Sequence, residues 1–456
     1  MKERQWTTAL ESTRAYQIKH PSSPELAKFE WSILITLGNI EGAVSRLDEY
    51  AQIEAFTPSL HACYIFALQA SSQASAEDIR QAYSDCSKQH FATDRYLPQR
   101  VPKAPKRIGI LSGEMRDHAA SKFLKPLIQA LTLLEIEVIA FSTSQLEDER
   151  STVIKNLCNQ WHSLANVSTG QATETIQNKE PDLILSCDWL LRHSRLDIAR
   201  ELTPSILQID YLQAGTTGIP QIPFRITDAW LDPPAEDGYW LDQKCIYLPG
   251  GTHVFERPTN TIEPKIERSH NHSIFIGSFN HLCKINDRVI HCWSQILQQC
   301  PQAKLLLKAS HLDLPEIQSQ LKKRFNQLGI EENQLCLLGF APNSDLHLKL
   351  YNRLSIALDT FPYNGVTTSC EALWMGVPLV TLEGDRPIAR KGASLLHQIG
   401  ATELITKDED TYIAKVISLI QNEDQRQYYH RNLRSQMIES PLCDIKRMAY
   451  DFKNAF

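Results

Sequence analysis

No two of the eleven cysteines are spaced C-x-x-C, which leaves neither a disulfide framework nor a zinc site. Free thiols in a reducing cytoplasm are the expectation. No apolar run approaches the roughly 20 residues needed to span a bilayer. The opening "MKERQWTTALESTRAYQIKH" has no apolar stretch suited to a signal peptide. Positive charge is not in excess either: a net charge of −6 argues against gripping nucleic acid. The local basic stretch "RVPKAPKR" (100–107) reads as a solvated linker. Sustained self-similarity at a 34-residue period is missing, so a repeat array is not supported. Carboxylates in metal-ligand spacing are scarce. "KDED" (407–410) spells D-x-D, but in a polar loop it reads as the charged start of a helix.

What is present is an ordinary globular composition, 42% hydrophobic and 22% charged over 456 residues, enough for two or three domains. Residues 1–98 read as a small all-helical region. Apolar residues in "SPELAKFEWSILITLGNIEGAVSRLDEYAQIE" recur at three- and four-residue spacing, and Gly38 separates two helix-like halves, as in a degenerate tetratricopeptide-like hairpin. Three prolines in "RYLPQRVPKAPK" mark the first boundary.

From Arg107 onward, "RIGILSG", "EVIAFST", "DLILSCD", "SILQIDYL" and "CIYLP" alternate with helix-like stretches, the signature of a parallel sheet flanked by helices. After the polar "RPTNTIEPKIERSHNHS" (257–273) the alternation restarts with "SIFIGSF", "AKLLLKA", "QLCLLGF", "SIALDTF", "PLVTLEG" and "TELIT". A charged helical tail follows from about 411. The expected class is α/β, with two Rossmann-like domains (104–256 and 271–456) facing a cleft and ligands at the carboxyl ends of the strands.

Four stretches could carry chemistry. In "DTFPYNGVTTSCEALWMG" a strand ends at Asp359–Phe361 and a helix begins with Thr368 or Ser369 as its cap. Helix N-termini bind phosphate. Thr367 and Thr368 add hydroxyls, Gly365 lets backbone approach closely, and Glu371 lies one turn in, where it could accept from ribose hydroxyls. Spacing alone fits an ordinary capped helix as well. "IGSFNHLCKINDRVIHCW" repeats the design, with Asn280 and Lys284 ahead of a helix; a surface lysine is the plain alternative. In "RIGILSGEMRDHAASKFL", His118 stands near a helix start and could accept a proton at neutral pH, or merely face solvent. "AGTTGIPQIPFRITDAWLDPP" has glycines, two threonines and Asp228 without a metal cage.

Together these stretches resemble the catalytic region of the O-GlcNAc transferase/SPINDLY family, nucleocytoplasmic protein glycosyltransferases of GT-B fold. The likeness runs from about Arg107 to the C-terminus. It is strongest in "LDTFPYNGVTTSCEALWMGVPLVTL", on the SPINDLY side, and is supported by "IGSFNHLCKIN", "FRITDAWLDPP", "GASLL" and "SPLCD".

The resemblance implies that Lys284, Thr367 and Thr368 hold the donor diphosphate and that Glu371 takes the ribose. His347 lies near the base, and Asn280 belongs to an F-N motif. His118 matches a catalytic-face histidine, with Glu114 where the family usually has aspartate. Two departures fall in the first α/β half, at "YLQAGTTG" (211–218) and "CDWLLRHSRL" (187–196), and a third places Val366 where O-GlcNAc transferases have histidine.

The implied function is an inverting, metal-independent glycosyltransferase. It would move a sugar from a nucleotide-diphosphate donor, with UDP-GlcNAc favoured, to Ser/Thr hydroxyls of a protein acceptor. No cofactor and no membrane span are expected. GDP-fucose or UDP-glucose as donor, or a catalytically weakened scaffold on the same fold, are the alternatives.

Overall fold

Buried parallel strands need apolar side chains on both faces, and the alternating runs above supply them twice. The computed structural model describes residues 5–92, 100–187, 195–202, 206–212, 215–234, 243–258, 262–265 and 274–456. Residues 188–194 and 213–214, which fall in the two departing motifs, lie outside the described residues. The chain forms two units, one of Glu77–Arg257 with Ile438–Phe456 and the other of Met1–Ala76 with Pro258–Met437.

The first α/β unit carries seven parallel strands: β1 Arg107–Ser112, β2 Glu137–Ser142, β3 Gln160–Ser163, β4 Leu183–Ser186, β5 Leu207–Asp210, β6 Phe224–Thr227 and β7 Lys244–Tyr247. Their order is β3-β2-β1-β4-β5-β6-β7. Period-2 alternation divides the sheet cleanly. Ile108, Ile110, Val138, Ala140, Leu183 and Leu185 face one core, whose other wall includes Leu124, Leu127 and Leu131 of the helix Ser121–Leu133. Ile139, Phe141 and Ile184 face the opposite core with Ala172 and Ile176. Met448 and Phe452, on the last helix Ile445–Ala455, join the first of these cores, so the end of the chain completes this unit.

The second unit has six parallel strands: β8 Ile274–Ser278, β9 Ala303–Lys308, β10 Leu335–Leu338, β11 Ile356–Leu358, β12 Leu379–Leu382 and β13 Ile405–Thr406, in the order β10-β9-β8-β11-β12-β13. Counted within the unit this is 3-2-1-4-5-6, the Rossmann order. All six strands coincide with the runs expected from sequence.

The expected helical hairpin also forms, from the helices Pro24–Thr36 and Ile40–Ala51, with Pro58–Ala70 following. Ser23, Asn39 and Thr57 cap them, each side chain accepting an N–H of the first turn. Gly38, at φ +72°, closes the first of these helices: its N–H donates to Ile35 O at 3.1 Å and that of Asn39 to Leu34 O at 2.9 Å.

The expected boundary at 256 falls beside the observed one at Arg257–Pro258, but the expected break at 98–104 does not follow the contacts. The helix Ala76–His90 falls almost entirely within the first α/β unit, while the helices before it belong to the second. Local periodicity cannot show this, because the deciding contacts are between residues far apart in sequence.

Candidate active site

In a sheet of order 3-2-1-4-5-6, the crevice for ligands opens beside the carboxyl ends of the two strands where the order reverses. In the second unit these are β8 and β11, paired in register Ile356↔Ile276 and Ala357↔Gly277. Beyond β8 the chain runs through Phe279, Asn280 and Lys284; beyond β11 it runs from Asp359 to Val366. Two stretches singled out separately thus arrive at one crevice.

Asp359 explains why the apolar strand stops where it does. Its carboxylate is fully buried and accepts N–H bonds from Thr360 (2.9 Å) and Gly365 (2.7 Å) and the Thr381 hydroxyl (2.7 Å). Burial raises its pKa to about 6 against these bonds. The turn it organises contains the cis bond Phe361–Pro362. A Cβ on Gly365 would stand 2.7 Å from Thr368 Oγ1 and Ser369 Oγ and 2.8 Å from Asn280 Oδ1, so the backbone here lies against three polar atoms. The following helix, Thr367–Trp374, begins two or three residues earlier than expected. Its cap is Val366, not Thr368 or Ser369, and that alkyl side chain makes no capping bond to the first turn. The Thr368 hydroxyl instead donates to Asn280 Oδ1 at 2.8 Å. Ser369 Oγ is buried with no hydrogen-bond partner among the described residues. A helix start with no capping side chain, beside an unsatisfied hydroxyl, suits an anion.

Lys284 ends a short 3-10 turn, Leu282–Lys284. Its ammonium donates to Asn364 O at 2.9 Å and lies 4.0 Å from the centroid of the Tyr363 ring. Among the described residues no carboxylate is within ion-pair distance of it. Burial lowers its pKa to about 8, partly offset by the fields of Cys283 and Asp359. A desolvated cation with one neutral acceptor and a ring face is short of negative charge.

Glu371, expected as an open ribose acceptor, is 2% exposed and already engaged. Its Oε2 is 2.8 Å from His347 Nε2 and 3.3 Å from the Tyr351 hydroxyl. The pairing orients His347, whose Nδ1 is buried with no partner among the described residues. Phe279 packs on Tyr351 with centroids 4.4 Å apart. Lys308, at the end of β9, is 6% exposed between the rings of Phe279 and Phe340. Burial depresses its pKa while the charge of Glu371 raises it. Sequence reading missed Lys308, Tyr351 and Asn364. A lysine closing the apolar run "AKLLLK" was the available signal for the first.

The structure therefore brings Asn280, Lys284, His347, Gly365, Thr367, Thr368 and Glu371 to one sheet edge. His118 belongs to the first unit, beyond β1, where β1 and β4 pair and that sheet's order reverses. Glu114 there is 2% exposed; its Oε2 accepts from Arg116 at 2.8 Å and lies 3.3 Å from His118 Nδ1. Burial raises the Glu114 pKa, with Arg116 opposing. His118 Nδ1 also receives the Ala120 N–H at 3.2 Å, which needs a lone pair, whereas Glu114 needs a proton there. Nδ1 thus has one partner for when it carries a lone pair and another for when it carries a proton.

The "KDED" segment is a helix start, as its charges suggested: Asp408 caps Glu409–Gln421 in a capping box with Thr411. Among the described residues no helix is long and apolar enough to cross a membrane.

The profile of Glycosyl transferase family 41 matches residues 265–452. Among curated proteins, the SPINDLY of Solanum lycopersicum, named a probable UDP-N-acetylglucosamine–peptide N-acetylglucosaminyltransferase, is 27% identical over 364 residues. The match covers 78% of this chain and 39% of that protein. The SEC protein of Arabidopsis thaliana, of the same printed activity, is 23% identical over 363 residues, covering 77% of this chain and 36% of its own. The chain thus spans well under half the length of these relatives. Among solved structures, a lysine-to-methionine mutant of the Thermobaculum terrenum O-GlcNAc transferase superposes with a TM-score of 0.88 at 26% identity. That likeness covers 99% of this chain and 88% of the other. A resemblance first carried by five short motifs thus extends over almost the whole fold: this chain is GT-B in architecture and is similar to the O-GlcNAc transferase/SPINDLY glycosyltransferases, with residues 265–452 matching Glycosyl transferase family 41.

Proposed function

We propose that the protein is an inverting, metal-independent glycosyltransferase that moves a sugar from a nucleotide-diphosphate donor to a Ser/Thr hydroxyl of a protein acceptor. The observation that carries the reading is the Lys284 ammonium at the strand-order reversal, without a carboxylate in ion-pair contact and bonded to the turn that leads into the helix Thr367–Trp374. As the acceptor oxygen bonds to the anomeric carbon, the bond from that carbon to the phosphate oxygen breaks and charge gathers on the diphosphate. Preorganised donors aimed at such charge are usually the largest catalytic term. Lys284, Thr367, Thr368 and the helix N–H groups are proposed for that work, with no metal or cofactor assigned. The acceptor proton needs a base, and His118, oriented by its neighbours, is the candidate. His347 and Glu371 are assigned to the nucleoside, with Asn280 holding Thr368.

UDP-GlcNAc is the favoured donor, since the printed names of SPINDLY and SEC specify it for those proteins. Eleven cysteines, none of them in a disulfide, support a cytoplasmic location. Incubation with UDP-GlcNAc, UDP-glucose and GDP-fucose, read by mass spectrometry for released nucleotide and for modified protein, tests the reading. UDP release with transfer from UDP-GlcNAc is expected. Saturable turnover of GDP-fucose alone would overturn the donor choice. Binding of nucleotide without turnover of any donor would leave a scaffold on this fold.

A further inference from the structure

The helices before residue 76 touch the crevice itself. We infer that the helix Pro58–Ala70 is a wall of the diphosphate site, with Phe66 a positioning residue that holds the Tyr363 ring against the Lys284 ammonium; this rests on the donor-site reading above. Phe66 meets Tyr363 edge-on, with centroids 5.8 Å apart at 61°, and Tyr363 in turn presents its face to Lys284 at 4.0 Å. Behind Phe66, Trp31 adds a third ring at 5.9 Å and 81°. An ammonium is drawn to the negative face of a ring, so the attraction depends on the ring keeping its tilt. Within the second unit, the tilt of Tyr363 is set by a side chain about 300 positions earlier in sequence.

Two further ties secure the same wall. Cys283, the residue before Lys284, is buried in a cluster with Leu34, Ile35, Ile40, Ala43, Ala67 and Ala70, so the lysine turn is anchored in the helices' core. Asn286, 1% exposed, caps the helix Asp287–Gln299 through its Oδ1 and donates from its Nδ2 to Phe361 O (2.8 Å) and Ala70 O (3.3 Å). Ala70 O is one of the last carbonyls of its helix and has no partner further along it. One amide thus joins the end of Pro58–Ala70 to the turn that carries Tyr363. These helices shape the donor side of the reaction, whatever they do for an acceptor.

Calorimetric titration of the full chain with UDP and with uridine tests the inference, using Phe66→Ala, Phe66→Tyr and Lys284→Ala beside the wild type. Phe66→Ala should weaken UDP about tenfold, the scale of a desolvated cation–π contact. It should leave uridine binding unchanged, and Phe66→Tyr should restore UDP affinity. A packing defect alone would lower the melting temperature or weaken both ligands alike, and either pattern without selective UDP loss would overturn the inference. Wild-type UDP affinity in Phe66→Ala, with Lys284→Ala impaired, sinks this inference alone. Wild-type UDP affinity in Lys284→Ala sinks the donor-site reading together with it. Should Phe66→Ala fail to fold, Phe66→Leu keeps the apolar bulk, removes the ring and reads the same difference.

Discussion

Lys284→Ala is expected to cut sugar transfer about a hundred- to a thousandfold, the loss typical of removing one preorganised charge donor, while the protein folds as before. Both halves of that expectation come from the same geometry. The ammonium's direct contacts are Asn364 O and the Tyr363 ring, and the buried Asp359 carboxylate acts on it only through its field, so alanine breaks no contact ion pair. Breaking a buried ion pair would instead leave an uncompensated charge and destabilise the fold.

The pH dependence sharpens the test. Folding lowers the Lys284 pKa from 10.5 to about 8, so between those values the unfolded chain binds more protons. This group's contribution to stability therefore rises with pH through that window, and below pH 8 the charged form is held at a cost. Affinity of the free protein for UDP should fall as pH rises through about 8 in the wild type and lose that inflection in Lys284→Ala. An alanine variant with near-wild-type turnover would remove Lys284 from the diphosphate site.

Asp359→Ala is expected to lower stability by about 3 kcal/mol or more, read as the midpoint of denaturant unfolding. The buried carboxylate accepts two backbone N–H groups and one hydroxyl, and each donor left alone in the interior costs about 1–3 kcal/mol. Asp359→Asn is a different matter. Its carbonyl oxygen can still accept both amides, and its NH₂ can meet the Thr381 oxygen, so most of the stability should remain. Removing the negative charge also ends the desolvation that raises this carboxyl to about 6. A wild-type midpoint for Asp359→Ala would mean that the turn is held by its backbone and by packing alone.

Much of this architecture was legible because long apolar runs at carboxyl edges are hard to hide. β1, β2, β8, β9, β11 and β12 are largely buried and announce themselves, and the half-buried edge strand β10 is still apolar throughout. β3 was missed because "QWHS" is an edge strand with half-exposed residues and no apolar run. β6 was missed because "FRIT" places Arg225 in mid-strand, where a buried ion pair with Asp232 at 3.2 Å compensates it. The helix start at Val366 was misplaced by two or three residues because cap preferences favour hydroxyls, and here the Thr368 hydroxyl bonds Asn280 instead of capping. Glu371 was found by position, but its pairing with His347 depends on the helix Ser344–Tyr351 crossing beside it, which no local pattern encodes.

The return of the last helix to the first α/β unit has a consequence for how the chain is made. Translation delivers β1 to β7 early, but Met448 and Phe452, which close one of that sheet's two cores, emerge some two hundred residues after β7. Until then the face carrying Ile108, Val138 and Leu183 lacks part of its cover on the ribosome, a state that invites chaperones and misassociation. A premature stop near residue 440 would therefore injure the half of the protein that is synthesised first among the sheets, and leave the later sheet whole.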